Sequence, residues 1–210
     1  MIVEKTIGPA TKKIAIFASG SGSNFQAIAV AAQAGTLQAE ICLLVCDKPG
    51  AFAVERAEML RIPALVISPK SYPTKEAYEA EILQKLTSLD VEMIVLAGYM
   101  RLIGSTLLRA FEGKIVNIHP SLLPAFPGKD AIGQALAAGV ETTGVTIHYV
   151  DEGMDTGPII ASAPVKVAAG ETRESLQKKI QRIEHSLYPE ILEELLNGKE
   201  EAVQWEKSVH

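Results

Sequence analysis

Lys12-Lys13-Ile14-Ala15-Ile16-Phe17-Ala18, then Ser19-Gly20-Ser21-Gly22-Ser23-Asn24, then Phe25-Gln26-Ala27-Ile28-Ala29-Val30-Ala31-Ala32 read as three elements in succession. The first is a short apolar run closed by a glycine cluster, the pattern of a buried strand. The last is alanine-rich and reads as a helix. Strand, glycine loop, helix is the opening of a doubly wound α/β fold. Gly20 and Gly22 let the backbone approach a ligand closely, and Ser23 or Asn24 is expected to cap the helix. The free amides of the first helical turn attract an anion, phosphate above all. The third glycine of a dinucleotide fingerprint is missing, its place taken by Phe25. An acidic residue, Asp47, does follow the next apolar run, so a dinucleotide reading stays open beside a phosphate-only one and beside a serine-rich turn with no ligand.

The alternation continues outward from there. Residues 53–60 read as a helix and 64–67 as a strand. A long helix over 74–88 has Thr74 as its N-cap and Ala77, Ile82, Leu83 and Leu86 on its apolar stripe. The next buried strand, 91–97, runs into Gly98-Tyr99-Met100-Arg101-Leu102-Ile103. Residues 129–138 look helical, and 142–150 alternate and are β-branched, as a strand requires. A turn-rich acidic loop, 151–158, separates that strand from another over 159–167, a hairpin-like unit running partly antiparallel to the rest. A closing helix over 172–197 has Thr172 as N-cap and Gly198 just past its end. The expected fold is a single α/β domain over 1–210: a mostly parallel twisted sheet, helices on both faces, a partly antiparallel C-terminal strand unit and a long closing helix. Residues 1–11 are read as a leader and 199–210 as a peripheral tail, both poorly ordered.

Asn117-Ile118-His119-Pro120-Ser121-Leu122-Leu123-Pro124 follows another apolar run. A strand puts Asn117 and His119 on one face, and Pro120 ends the pairing. An amide donor and an imidazole projecting together from a strand end can stabilise an oxyanion and move a proton. Equally, on spacing alone, Asn117 caps the strand and His119 is a satisfied histidine. In open α/β sheets ligands bind beyond the carboxyl ends of the strands. That rule gathers the 19–24 loop, the 100–103 segment and the Asn117/His119 pair along one rim. Met100, Leu102 and Ile103 either pack under a neighbouring helix or form a wall for a flat apolar ligand.

With 48% hydrophobic residues in 210, the chain can bury a substantial core. Its net charge of −5 provides no positive field for a nucleic acid. No apolar run approaches the ~20 residues that span a bilayer, and residues 1–10 lack the pattern of a signal peptide. Cys42 and Cys46 are expected to share a strand face too far apart for a disulfide, as buried free thiols in a reducing cytoplasm.

Of the four histidines, His119 is the one with a neighbouring amide and a proline-stiffened loop; His148 reads as core or rim. A histidine acting as a general acid needs a carboxylate to hold its tautomer, and Asp155 in the glycine-rich acidic loop is the best candidate. Asp151 and Glu152 read as turn residues. No metal-ligand spacing is present.

Taken together, the 19–24 loop, Leu96-Ala97-Gly98-Tyr99-Met100-Arg101, the Asn117–Pro124 run and Asp151-Glu152-Gly153-Met154-Asp155-Thr156-Gly157-Pro158 resemble the phosphoribosylglycinamide formyltransferase family, from about Lys12 to Leu196. The resemblance implies a Rossmann-like formyltransferase fold and a transfer from 10-formyltetrahydrofolate to glycinamide ribonucleotide in purine synthesis. By motif it implies Asn117, His119 and Asp155 as catalytic residues. Gly22, Ser23 and Asn24 would hold the substrate phosphate, and Glu184 would meet the glycinamide. Met100, Arg101, Leu102 and Ile103, mostly through backbone, together with Asn117 would hold the folate. Lys75 stands where the family often has an arginine on the folate tail. The Lys129-Asp130 loop is given no role. The implied protein is cytoplasmic, a monomer or homodimer, with small-molecule substrates, no metal, no nucleic acid and no membrane. A non-catalytic nucleotide-binding module using Asp47 is the alternative from another class.

Overall fold

Apolar strands buried on both faces form the centre of the molecule, because a parallel sheet covered by helices leaves them no solvent side. The computed structural model describes residues 11–198 and 203–204. All but the last residue of the expected leader and most of the expected tail lie outside the described residues. In chain order the elements are β1 (Lys12–Ala18), α1 (Ser23–Gln33), β2 (Ala39–Cys46), α2 (Phe52–Met59), β3 (Ala64–Val66), α3 (Lys75–Ser88), β4 (Met93–Leu96), α4 (Ser105–Ala110) and β5 (Ile115–His119). They continue with α5 (Ala131–Ala138), β6 (Thr142–Tyr149), β7 (Ile159–Lys166), α6 (Arg173–Leu196) and β8 (Val203–Gln204).

The strand order is β3-β2-β1-β4-β5-β6-β7-β8. From β3 to β5 along this order the strands are mutually parallel, β6 alone runs antiparallel to its neighbours β5 and β7, and the backbone of β8 adds to β7 in parallel. The chain winds outward from β1 to β3, then returns to the other side of β1 with β4. The crevice between β1 and β4 is therefore the topological switch point, where ligands of such sheets bind.

Alternation along β1 divides the core. Ile14, Ile16 and Ala18 pack with Phe25 and Ile28 of α1 and with Leu176, Ile180, Leu187 and Tyr188 of α6. Ala15 and Phe17 point the other way, against Tyr78, Ile82 and Leu86 of α3 and Leu107 of α4. Thr74 caps α3 by accepting from Ala77 N at 3.1 Å, and Thr172 caps α6 by accepting from Ser175 N at 3.2 Å, as the sequence indicates. Tyr188, fully buried, donates its hydroxyl to Leu96 O and Val116 O at 2.9 and 3.2 Å. That contact seats α6 over the last residue of β4 and the neighbouring part of β5 and brings Glu184, one turn earlier, to the crevice.

One expectation fails in detail. The β1–β2 register shifts between Ile41 and Leu43, so Cys42 interrupts the alternation that would set it on one face with Cys46. Both thiols are nonetheless free and buried, and burial, helped by Glu40, pushes Cys42 up to about 11.

Candidate active site

The ends of β1 and β4 are tied together before any site residue is reached. Ser19 N donates to Gly98 O at 3.1 Å, and Met100 N donates to Ser19 Oγ at 2.9 Å. The glycine loop is then fastened from behind by α2. Ala53 N donates to Gly20 O at 3.0 Å, and Arg56 Nε donates to Ser21 O at 2.8 Å. Gly22 is left-handed at φ 72°, and a Cβ there would lie 2.7 Å from Ala53 Cβ. Both facts require glycine.

Gly22, not Ser23 or Asn24, is the N-cap of α1, and no side chain caps it. The first intrahelical bond is Gln26 N to Gly22 O at 2.9 Å, so the Ser23, Asn24 and Phe25 amides precede it, as an anion site requires. The helix begins directly after the left-handed Gly22, so Asn24 falls inside its first turn, and its side-chain Nδ2 donates to Glu184 Oε2 at 3.0 Å. Asn24 Oδ1 is buried without a protein partner. Glu184 is 7% exposed, and burial raises its carboxyl above the usual range against the opposing Asn24 bond.

The 100–103 segment divides its residues. Met100 and Leu102 are 60% and 50% exposed, whereas Ile103 is buried in the core beside α3 and α4. Arg101 is engaged through its side chain: Nε donates to Asp47 Oδ2 at 2.8 Å. Asp47 is buried under that pair, which removes it as an open ribose ligand and with it the dinucleotide reading. Beneath the segment, the Tyr78 and Tyr99 hydroxyls lie 2.8 Å apart, and Phe17 packs edge-on to Tyr99 at 5.2 Å. Lys75 opens α3, with Nζ 3.9 Å from the buried Glu79 carboxylate.

Asn117 and His119 leave the same face of β5, and the loop behind them is pinned by β6. Thr146 Oγ1 donates to Ser121 O at 2.7 Å and accepts from Leu123 N at 3.0 Å. His119 Nε2 donates to Phe126 O at 2.9 Å, while Nδ1 faces Asp155 Oδ2 at 3.4 Å. Asp155 has a left-handed backbone (φ 56°), an uncommon conformation for a non-glycine residue that concentrates at functional sites. Its Oδ2 accepts from Gly128 N at 2.7 Å, and its Oδ1 lies 3.4 Å from Asn117 Nδ2 and 3.5 Å from His148 Nε2. Burial alone would raise Asp155, but the His148 contact, the Gly128 amide and the two imidazoles together hold it below the usual carboxylate range.

Sequence reasoning leaves His148 undecided, yet it completes this cluster. It stands opposite Asn117 in the β5–β6 register, and its Nδ1 donates to Tyr149 O at 2.8 Å. The signal was the alternation of 142–149 combined with its antiparallel partner. Asp151, read as a turn residue, accepts from Gly153 N and Thr156 Oγ1 at 3.0 and 2.7 Å. In the Lys129-Asp130 loop, Asp130 caps α5 and pairs with Arg173 Nη2 at 2.5 Å.

One cleft of about 1140 Å³ is lined by Gly22, Ser23, Asn24, Lys75, Met100, Arg101, Leu102, Ile103, Asn117, His119, Asp155 and Glu184. The candidate residues thus all border one space, large enough for two small molecules. A shallower groove of about 920 Å³ between α1 and α6 shares only Ser23 with it and holds none of the cluster. Among the described residues no group of three or more His, Cys, Asp or Glu side chains is arranged to hold a metal ion. Among them, too, no helix is long and apolar enough to cross a membrane.

Residues 12–192 match the model of a family described as formyl transferase. The phosphoribosylglycinamide formyltransferase of Bacillus subtilis is 55% identical over 185 residues, covering 88% of this chain and 95% of that one. Among solved structures, glycinamide ribonucleotide transformylase 1 of Geobacillus kaustophilus superposes with a TM-score of 0.87 at 62% identity, covering 89% of this chain and 99% of its own. The phosphoribosylglycinamide formyltransferase of Bacillus halodurans gives a TM-score of 0.87 at 58% identity, over 90% and 97% of the two chains.

Proposed function

The chain belongs to the formyl transferase family, and we propose from that premise how its cleft works. The enzyme transfers the formyl group of 10-formyltetrahydrofolate to the amine of N1-(5-phospho-D-ribosyl)glycinamide, giving formylglycinamide ribonucleotide and tetrahydrofolate in purine biosynthesis. Transfer is direct, through a tetrahedral intermediate.

The observation that carries the assignment of roles is the convergence of three unlike surfaces on one cleft. The Gly22–Ser23–Asn24 turn, with its unpaired helix amides, takes the ribose phosphate. Glu184, buried and bonded to Asn24, accepts from the glycinamide and so sets the direction of its amine. The 100–103 segment offers the half-exposed Met100 and Leu102 side chains and its backbone to the flat ring system of the folate, with Lys75 toward the acidic tail.

Asn117 and His119 donate to the oxyanion that forms when the amine adds to the formyl carbon. Asn117 Nδ2 holds its shorter contact to His148 at 3.1 Å and gives up the longer one, to Asp155 at 3.4 Å, for the oxyanion. His119 exchanges the Phe126 carbonyl for the same oxygen. Asp155, kept ionised by its surroundings, supports the His119 ring and takes up the amine proton, which passes on to N10 of the departing folate.

The polypeptide is proposed to act as one formyltransferase domain over 1–210, with 1–11 and 199–210 peripheral. It is further proposed to work in the cytoplasm as a monomer or homodimer and to bind no nucleic acid, in keeping with its net charge of −5. The test is product identification. Purified protein given both substrates should yield a ribonucleotide heavier by one formyl unit, seen by mass spectrometry, with one tetrahydrofolate per product. Formate in place of the formylated ribonucleotide would refute the transfer.

A further inference from the structure

Glu79 is a buried carboxylate that the reaction above leaves unused. It sits on the inner side of α3, 3% exposed. Burying a carboxylate costs free energy unless it is paired or hydrogen-bonded. Its Oε1 accepts from Gly104 N at 2.6 Å and lies 3.9 Å from Lys75 Nζ. Gly104 directly follows the 100–103 segment and is the N-cap of α4, with extended backbone and no side-chain cap. A Cβ on Gly104 would lie 2.7 and 2.8 Å from the two Glu79 carboxylate oxygens. It would lie 2.7 Å from Lys75 Cε as well, so a side chain at this position would displace both members of the pair.

Helix stability does not account for the Lys75–Glu79 pair. A lysine in the first turn opposes the helix dipole. Lysine four residues before glutamate is also the weaker order. With Lys75 48% exposed at 3.9 Å, the pair adds little to folding. Both residues do line the cleft. A lysine ammonium is a rotating point charge without the planar fork of arginine, so its direction has to come from a neighbour.

We propose that Glu79 is a positioning residue for the formyl donor: through Gly104 it anchors the end of the 100–103 wall, and through its charge it aims Lys75 at the acidic tail. This rests on the folate reading of that wall.

The test uses the full chain with 10-formyltetrahydrofolate and with an analogue lacking the glutamate tail. Glu79→Gln keeps an acceptor for Gly104 and loses the charge facing Lys75. The expected result is a KM for the complete donor raised about 10-fold, the size of one lost charge-assisted contact, with the change in KM rather than kcat. The tail-less analogue is unaffected. Glu79→Ala, which also frees Gly104, raises KM for both donors. Adding Lys75→Ala to Glu79→Gln raises KM no further than Lys75→Ala alone. The proposal is overturned if Glu79→Gln binds the complete donor as wild type does, if the two substitutions add, or if only the melting temperature moves. If the folate reading itself fails, wild type shows no saturation by the donor and Lys75→Ala has no effect, a pattern that overturns both and is distinct from the others.

Discussion

Asn117 and His148 stand directly opposite each other across the antiparallel β5–β6 pair, with Asn117 Nδ2 3.1 Å from His148 Nε2. His148 Nδ1 gives its hydrogen to Tyr149 O at 2.8 Å, which holds the ring in place against β5. The strand pairing thus sets the His148 ring against the Asn117 amide. His148→Ala removes that restraint. We expect kcat to fall about 10-fold, short of the ~100-fold or more expected for Asn117→Ala, which would remove the proposed oxyanion donor itself. Steady-state rates of the two variants side by side check this order.

Asp155 links the site to acid stability. Its carboxyl is held below the usual range, so its contribution is complete above the unfolded value of ~3.9 and is lost as pH falls through the depressed folded value. Asp155→Asn keeps the shape and removes the charge. Melting curves should show wild type ahead of Asp155→Asn near neutral pH, with the gap closing below about pH 4. A gap that stays constant with pH would mean the carboxylate is not the stabilising form.

Glu184 works in the opposite sense. Burial raises its carboxyl, so ionisation costs stability, and that cost grows as pH rises from the unfolded value of ~4.3 through the raised folded value. Glu184→Gln should therefore melt above wild type at neutral pH and level with it near pH 4. The same substitution should raise KM for the ribonucleotide about 10-fold, since a neutral amide replaces a charged acceptor. Calorimetry and steady-state kinetics on one preparation separate the two effects.

Gly22→Ala tests the phosphate turn. The left-handed backbone alone costs about 1–3 kcal/mol for a non-glycine residue, and the added methyl meets Ala53 at 2.7 Å. The variant should be less stable by chemical denaturation and bind the ribonucleotide more weakly, while saturation by the folate changes little.

Much of this was legible along the chain. The continuous apolar runs of β1 and β4, the caps Thr74 and Thr172, and the Asn117/His119 spacing are local signals, and local physics decides them. What could not be read depends on partners distant in sequence. Asn24 is a good N-cap residue by type, yet its side chain is drawn to Glu184, 160 residues away. Arg101 reaches Asp47 across 54 residues, and that pair turns an apparent ribose ligand into a support for the 100–103 segment. His148 alternates like any core residue of β6, and only the register against β5 sets it beside Asn117 and Asp155. Glu79 looks like a surface position of an ordinary helix until Gly104 comes to meet it.

The most direct measurement is tetrahydrofolate release from 10-formyltetrahydrofolate, followed with and without glycinamide ribonucleotide in wild type, His119→Ala and Asp155→Asn. Release that requires the ribonucleotide, and falls ~100-fold or more in both variants, is the predicted result. Release at the same rate without the ribonucleotide, or variants that turn over as wild type does, would contradict direct transfer by this cluster.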